Sequence, residues 1–163
     1  MAIATDASWG EKNLQAASKG LATARSIALL SYRNNQAYDS TQPREEYQID
    51  QFNASSYQQY QGKKLTNRFD AYTYFNLTKT MDSHDVSRGR ISTERSLGLI
   101  QASTTIIGIK GDVLFPVEYQ KELWKHIKNA KLYLIDSPYG HDGFLIETKQ
   151  IEQILETKQI ISI

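Results

Sequence analysis

The feature that most constrains this chain is the run Thr104-Thr105-Ile106-Ile107-Gly108-Ile109, followed about twenty residues later by Lys131-Leu132-Tyr133-Leu134-Ile135-Asp136. An unbroken β-branched run is the pattern of a strand buried on both faces, as in a parallel sheet. Between the two runs lies a segment from Pro116 to about His126 with helical character, and a closing helix is expected around Phe144 to Glu156. Strand, helix, strand, helix is the unit of a parallel α/β sheet. Two such strands do not make a stable sheet alone. The expectation is therefore that Ile106, Ile107, Ile109, Leu132, Leu134 and Ile135 are covered by strands and helices of a larger domain.

The first part of the chain has another texture. Residues 1–92 are polar, rich in Gln, Asn, Ser and Tyr, and helical in period, whereas residues 93–163 carry the α/β pattern. Leu21, Ala24, Ile27, Ala28 and Tyr32 recur at three- and four-residue steps, predicting one face of an amphipathic helix. Ser18 is its expected N-cap and Asn34-Asn35 its end, with a loop through Ser40-Thr41-Gln42-Pro43. A second helix is expected from Ser55 to Gln61, closed by Gly62. A third runs from Ala71 to Asp82 with Tyr74, Leu77, Thr78 and Met81 on one side, and a short helix from Thr93 to Ile100 leads into the first strand.

Composition excludes several classes of function. Nineteen Lys and Arg against eighteen Asp and Glu leave no field to attract a polyanion, so no nucleic-acid partner is expected. Cysteine is absent, which removes disulfides, thiolate-bound zinc and a thiol nucleophile. No apolar run approaches the eighteen or more residues of a membrane span, and the first residues lack a secretory pattern. A cytoplasmic location is expected, and the sequons at Asn53 and Asn76 are read as chance matches.

Two residues stand where an α/β sheet does chemistry. Asp112 lies just past the end of the first strand and His141 in the loop after the second, and sites in open α/β sheets form at the carboxyl ends of strands. Acid followed by histidine, in that order, is the second half of the Ser, Asp, His order of hydrolase triads. Gly111 and Gly140 beside them permit sharp turns. On position alone, an Asp that caps a turn and an incidental loop histidine account for the pair equally well. A G-x-S-x-G elbow, which should precede Asp112, occurs nowhere in the sequence.

Several segments resemble the homoserine O-acetyltransferase family, in unbroken order from about Ala7 to Ile151. They are Gly20-Leu21-Ala22-Thr23-Ala24-Arg25 with Ser31-Tyr32-Arg33; Ser56-Tyr57 with Tyr60 to Leu65 and Arg68-Phe69-Asp70-Ala71; Met81 to Arg90; Gly111 to Pro116; and Tyr139 to Glu147. The resemblance implies an α/β-hydrolase fold, with residues 1–92 part of a helical lid and residues 93–163 the last part of the core. It implies acetyl transfer from acetyl-CoA to the L-homoserine hydroxyl through an acyl-serine, in methionine biosynthesis, with no further cofactor and no metal.

By the same resemblance Asp112 is the triad acid, His141 the general base, Arg25 the partner of the substrate carboxylate and Asp142 that of its amine. Tyr32 faces the substrate, and the lid helices form a homodimer. The elbow serine and oxyanion donors of the family are not among these residues. Another acyl donor or acceptor within the same fold, and a non-catalytic lid or dimerisation module, are the alternatives. Arg68 and Asp70 are expected to pair or cap within the lid, and His126 to sit at a helix end.

Overall fold

A computed structural model describes residues 1–11, 13–33, 35–42, 50 and 52–157. Its elements, in order, are α1 (Ser18–Tyr32), α2 (Asn35–Thr41), α3 (Asn53–Thr66), α4 (Ala71–Asp82), α5 (Thr93–Gly98), β1 (Thr104–Lys110), α6 (Val117–His126), β2 (Ala130–Asp136), α7 (Gly143–Ile146) and α8 (Thr148–Glu156). The chain forms two compact units: residues 1–30 with 38–84, and residues 31–37 with 85–163. The C-terminal end of α1 thus belongs to the second unit.

The first unit is helical. Its core gathers Ile3, Ala17, Leu21 and Ala71, with Trp9, Ala24, Leu65, Phe69, Tyr74 and Phe75 packed around them. The buried side of α1 is Leu21 and Leu29, whereas Ile27, expected on that face, is 59% exposed. On α4 the inward residues are Ala71, Tyr74 and Phe75, and the expected Leu77 and Met81 face water. Leu21, Ala24 and Tyr74 from the expected faces do pack into the core, whereas Ile27, Leu77 and Met81 do not.

The start of α1 also departs from the expectation. Ser18 is the first helical residue rather than the cap, and Ala17 before it has a positive φ of 56°. The orphan amides are met from a distant turn: Asp6 Oδ2 accepts from the Gly20 amide at 2.7 Å and Ser8 Oγ accepts from the Ala17 amide at 2.8 Å. Asp6 is itself ordered by Ser8, whose amide and hydroxyl both donate to Oδ1.

Gly62 does not close its helix, which continues to Thr66. A Cβ there would lie 3.0 Å from the Ala22 carbonyl oxygen, so this glycine lets α3 approach α1. Ser26 Oγ donates to the Gln58 carbonyl in the same contact. Residues 40 and 41, expected in a loop, are the end of α2; Pro43 lies outside the described residues. The third helix has the expected bounds, Ala71–Asp82, and Asp70 caps it by accepting from the Thr73 amide.

The second unit contains the sheet. β1 and β2 pair in parallel with Thr104 opposite Ala130, Ile106 opposite Leu132 and Lys110 opposite Asp136. Leu97, Ile106 and Ile127 form its small core, with Ile100, Ala130 and Leu132 against them. Gly108 has no side chain because a Cβ there would stand 3.0 Å from Leu134 Cδ2 and 3.4 Å from Gln120 Oε1. Full burial of both strands is not met within the described residues: Leu134 is 39% exposed. The closing helix is two helices, α7 and α8, broken at Glu147 (φ −81°, ψ 44°). Gln150 ties α8 to the end of β2, donating to the Asp136 carbonyl at 2.8 Å and to Glu147 Oε2 at 2.8 Å.

Candidate active site

The chain leaves β1 through Gly111, whose φ of +80° suits only glycine at low cost. That turn delivers Asp112 to the end of the sheet, where it is 8% exposed. Its carboxylate is divided between two tasks. Oδ1 accepts from the amides of Leu114 and Phe115, at 2.8 and 2.9 Å, and so fixes the loop that follows. Oδ2 lies 2.9 Å from His141 Nδ1. Asp112 is thus both a turn residue and the partner of the histidine; one reading does not displace the other.

The loop after β2 brings the histidine. Gly140, with φ of 60°, turns the chain into a short 3₁₀ turn over Gly140–Asp142 that carries His141 at its centre. Ser137 beneath it is buried, and its hydroxyl accepts from the Tyr139 amide at 3.1 Å. Gly143 packs directly on Ser137: a Cβ there would be 2.7 Å from both Ser137 Cβ and Oγ. The turn is seated on the end of β2 by contact, not merely tethered to it.

Among the described residues, three rings pack around the imidazole. Phe115, Phe144 and Tyr32 have centroids 5.1, 5.3 and 5.5 Å from that of His141, all at tilted or edge-on angles. Such packing restricts the ring and thins the water around it, which strengthens the bond to Asp112. A carboxylate can only accept, so the proton on Nδ1 is the one shared with Asp112. The other nitrogen, Nε2, is then the lone-pair nitrogen available to a reacting group.

The remaining expected residues divide between the units. Tyr32 and Asp142 are in the second unit with the pair. Asp142 Oδ2 is held by Arg33 Nε at 2.9 Å. Arg25 lies in α1 within the helical unit. Of the charged residues read as structural, Asp70 caps α4, Arg68 lies over the Phe69 ring, and His126 Nε2 meets Glu122 Oε2 one helical turn earlier. Asp85 accepts from the amide and hydroxyl of Ser87, and Arg90 donates to the Val86 carbonyl. Among the described residues no group of three or more His, Asp or Glu side chains could hold a metal, and no helix is long and apolar enough to cross a membrane.

The residues that sequence reasoning missed are Arg33, Phe115 and Phe144. Each stands inside one of the segments that resemble the family, but no local periodicity says that position 33 meets position 142, or that two phenylalanines flank one histidine.

Parallel strands whose carboxyl ends present a hydrogen-bonded acid and then a histidine are the closing part of an α/β-hydrolase fold. Solved structures agree with that class: homoserine O-acetyltransferase from Bacillus anthracis superposes with a TM-score of 0.81 at 23% identity, over 94% of this chain and 45% of that one. No family model matches the chain. Among curated proteins it is similar to the homoserine O-acetyltransferases of Cyclobacterium marinum, 44% identical over 96% of this chain, and of Chlorobaculum parvum, 42% identical over 94%. It spans 45% and 44% of their lengths. The family resemblance carried by the motifs therefore holds along the chain.

Proposed function

We propose that this chain supplies the acid and the base of a homoserine O-acetyltransferase whose serine nucleophile lies outside these 163 residues. The observation that carries the reading is the bond between Asp112 Oδ2 and His141 Nδ1 at the carboxyl ends of β1 and β2. In this reading His141 Nε2 removes the serine proton as Oγ attacks the acetyl carbonyl of acetyl-CoA. The tetrahedral intermediate collapses, the C–S bond breaks, and His141 returns the proton to the departing thiolate. L-Homoserine then enters, its hydroxyl loses a proton to Nε2 and attacks the acyl-serine, and the proton passes back to the serine as O-acetyl-L-homoserine leaves. Asp112 holds the imidazole in one tautomer throughout and stabilises its cation.

Arg25 is assigned to the substrate carboxylate, which a guanidinium can bind through two parallel N–H groups. Asp142 is assigned to the ammonium and Tyr32 to the wall beside it. The acetyl group arrives on acetyl-CoA as co-substrate, and no metal or prosthetic group takes part. The protein belongs to methionine biosynthesis, works in the cytoplasm, and pairs with a second copy through its lid helices. Light scattering tests the dimer directly.

The activity is tested by mixing the full-length protein with acetyl-CoA and following free thiol with and without L-homoserine. Sustained thiol release only with L-homoserine, forming the O-acetyl ester and lost in His141→Ala, is the expected result. Equal release without L-homoserine, giving acetate, would make it a hydrolase instead. Succinyl-CoA and L-serine, run beside these, distinguish the nearest alternative donor and acceptor.

A further inference from the structure

Two neighbours in sequence meet two neighbours in sequence. Tyr32 lies against His141, ring centroids 5.5 Å apart, and Arg33 Nε is 2.9 Å from Asp142 Oδ2. The side chains of Arg33 and Asp142 are 18% and 17% exposed, so the pair sits where water screens it only in part. Arg33 is 109 residues from Asp142 along the chain, and the end of α1 is clasped to the turn that carries the base. The resemblance gave Arg33 no role.

A carboxylate on its own swings about its last torsion and can offer either oxygen. The Nε–H of an arginine points in one direction fixed by the planar guanidinium, so accepting from it sets both the position and the plane of the Asp142 group. One oxygen is then taken and the other is presented in a defined direction. We propose that Arg33 is a positioning residue for ammonium recognition: it holds Oδ2 of Asp142 so that the second oxygen receives the amine of the acceptor. This deepens the reading above and rests on it, since it takes Asp142 as the partner of the amine. A carboxylate shared between guanidinium and ammonium binds the amine by direction rather than by excess negative charge. An acceptor without an amine has no use for that arrangement.

The test is a split between two half-reactions in the full-length protein. Arg33→Gln should raise the KM for L-homoserine about tenfold, the equivalent of one well-made polar contact, while the rate of acetylation by acetyl-CoA stays within about twofold of the parent. Arg33→Lys, which restores the charge but not the planar direction, should recover part of the loss and not all of it. Adding Arg33→Gln to Asp142→Asn should cost little more than Asp142→Asn alone, because the first acts through the second.

A parallel titration calorimetry series with L-homoserine and 4-hydroxybutanoate needs no turnover. Arg33→Gln should weaken the amine-bearing ligand about tenfold and leave the deaminated one within about twofold. Loss of both half-reactions together, additive effects in the double variant, or equal weakening of both ligands would each overturn the proposal. If the parent protein forms no acyl ester, the reaction assigned above fails, and the calorimetry still decides whether Arg33 governs amine binding.

Discussion

Nδ1 of His141 lies 2.9 Å from Oδ2 of Asp112, across 29 residues of chain, with the other oxygen of the same carboxylate holding the Leu114 and Phe115 amides. The division matters because the two oxygens can be separated by substitution. Asp112→Asn can keep its one oxygen on the loop amides, but it then turns its NH2, a donor, toward the imidazole. The expected outcome is a fall in turnover of about 10⁴-fold in the full-length protein, the effect of losing the correct tautomer. The melting temperature should move little. Asp112→Ala should lose both turnover and thermal stability, since it orphans the two amides as well.

Gly143 is a packing requirement. Its missing Cβ would fall 2.7 Å from Ser137 Cβ and Oγ, and a side-chain stub beside the backbone has nowhere to go. Gly143→Ala should cost about 1–3 kcal/mol in a urea unfolding curve, the usual penalty of forcing volume into a closed site. Ser137→Gly in the same chain should restore much of that loss. Failure of the double variant to recover would mean that the strain lies elsewhere.

Asp6 makes the helical unit sensitive to acid. The Ser8 amide, the Ser8 hydroxyl and the Gly20 amide, in that order, hold its carboxyl below the ordinary value of 3.8. The charged form is favoured by folding, so its contribution is complete above pH 3.8 and disappears as pH falls through the lower folded value. The melting temperature should therefore drop on acidification through that window. In Asp6→Asn the neutral-pH stability should be lower and this part of the acid slope flatter, read by circular dichroism across pH.

Gly20 lies where the N-terminal turn crosses α1. A Cβ at this position would be 2.6 Å from the Ala2 carbonyl oxygen, and backbone cannot step aside as a flexible side chain can. Gly20→Ala should lower the melting temperature despite alanine's better helix propensity. The sign of the change decides between packing and propensity.

Much of the site was legible because its signals are local. The β-branched run identified β1, the next apolar run identified β2, and glycines beside Asp112 and His141 marked the turns that place them. Where prediction missed, long-range contact had overruled a local rule. Gly62 reads as a helix end, yet it is the point where α3 passes close to Ala22. Ser18 reads as a cap, yet Asp6 and Ser8 do that work from another turn. The Phe144 to Glu156 stretch reads as one helix, yet it breaks at Glu147, whose side chain accepts from Gln150.

The sequence by itself determined the parallel α/β unit, the order aspartate then histidine, and their places after successive strands, because strand period and turn glycines act over a few residues. Only the tertiary structure decided that one Asp112 oxygen serves the loop and the other His141, that three rings among the described residues pack on His141, and that Arg33 holds Asp142. Those relationships join segments far apart in the chain, and their geometry follows from how backbone and side-chain volumes fill space, which no local pattern encodes.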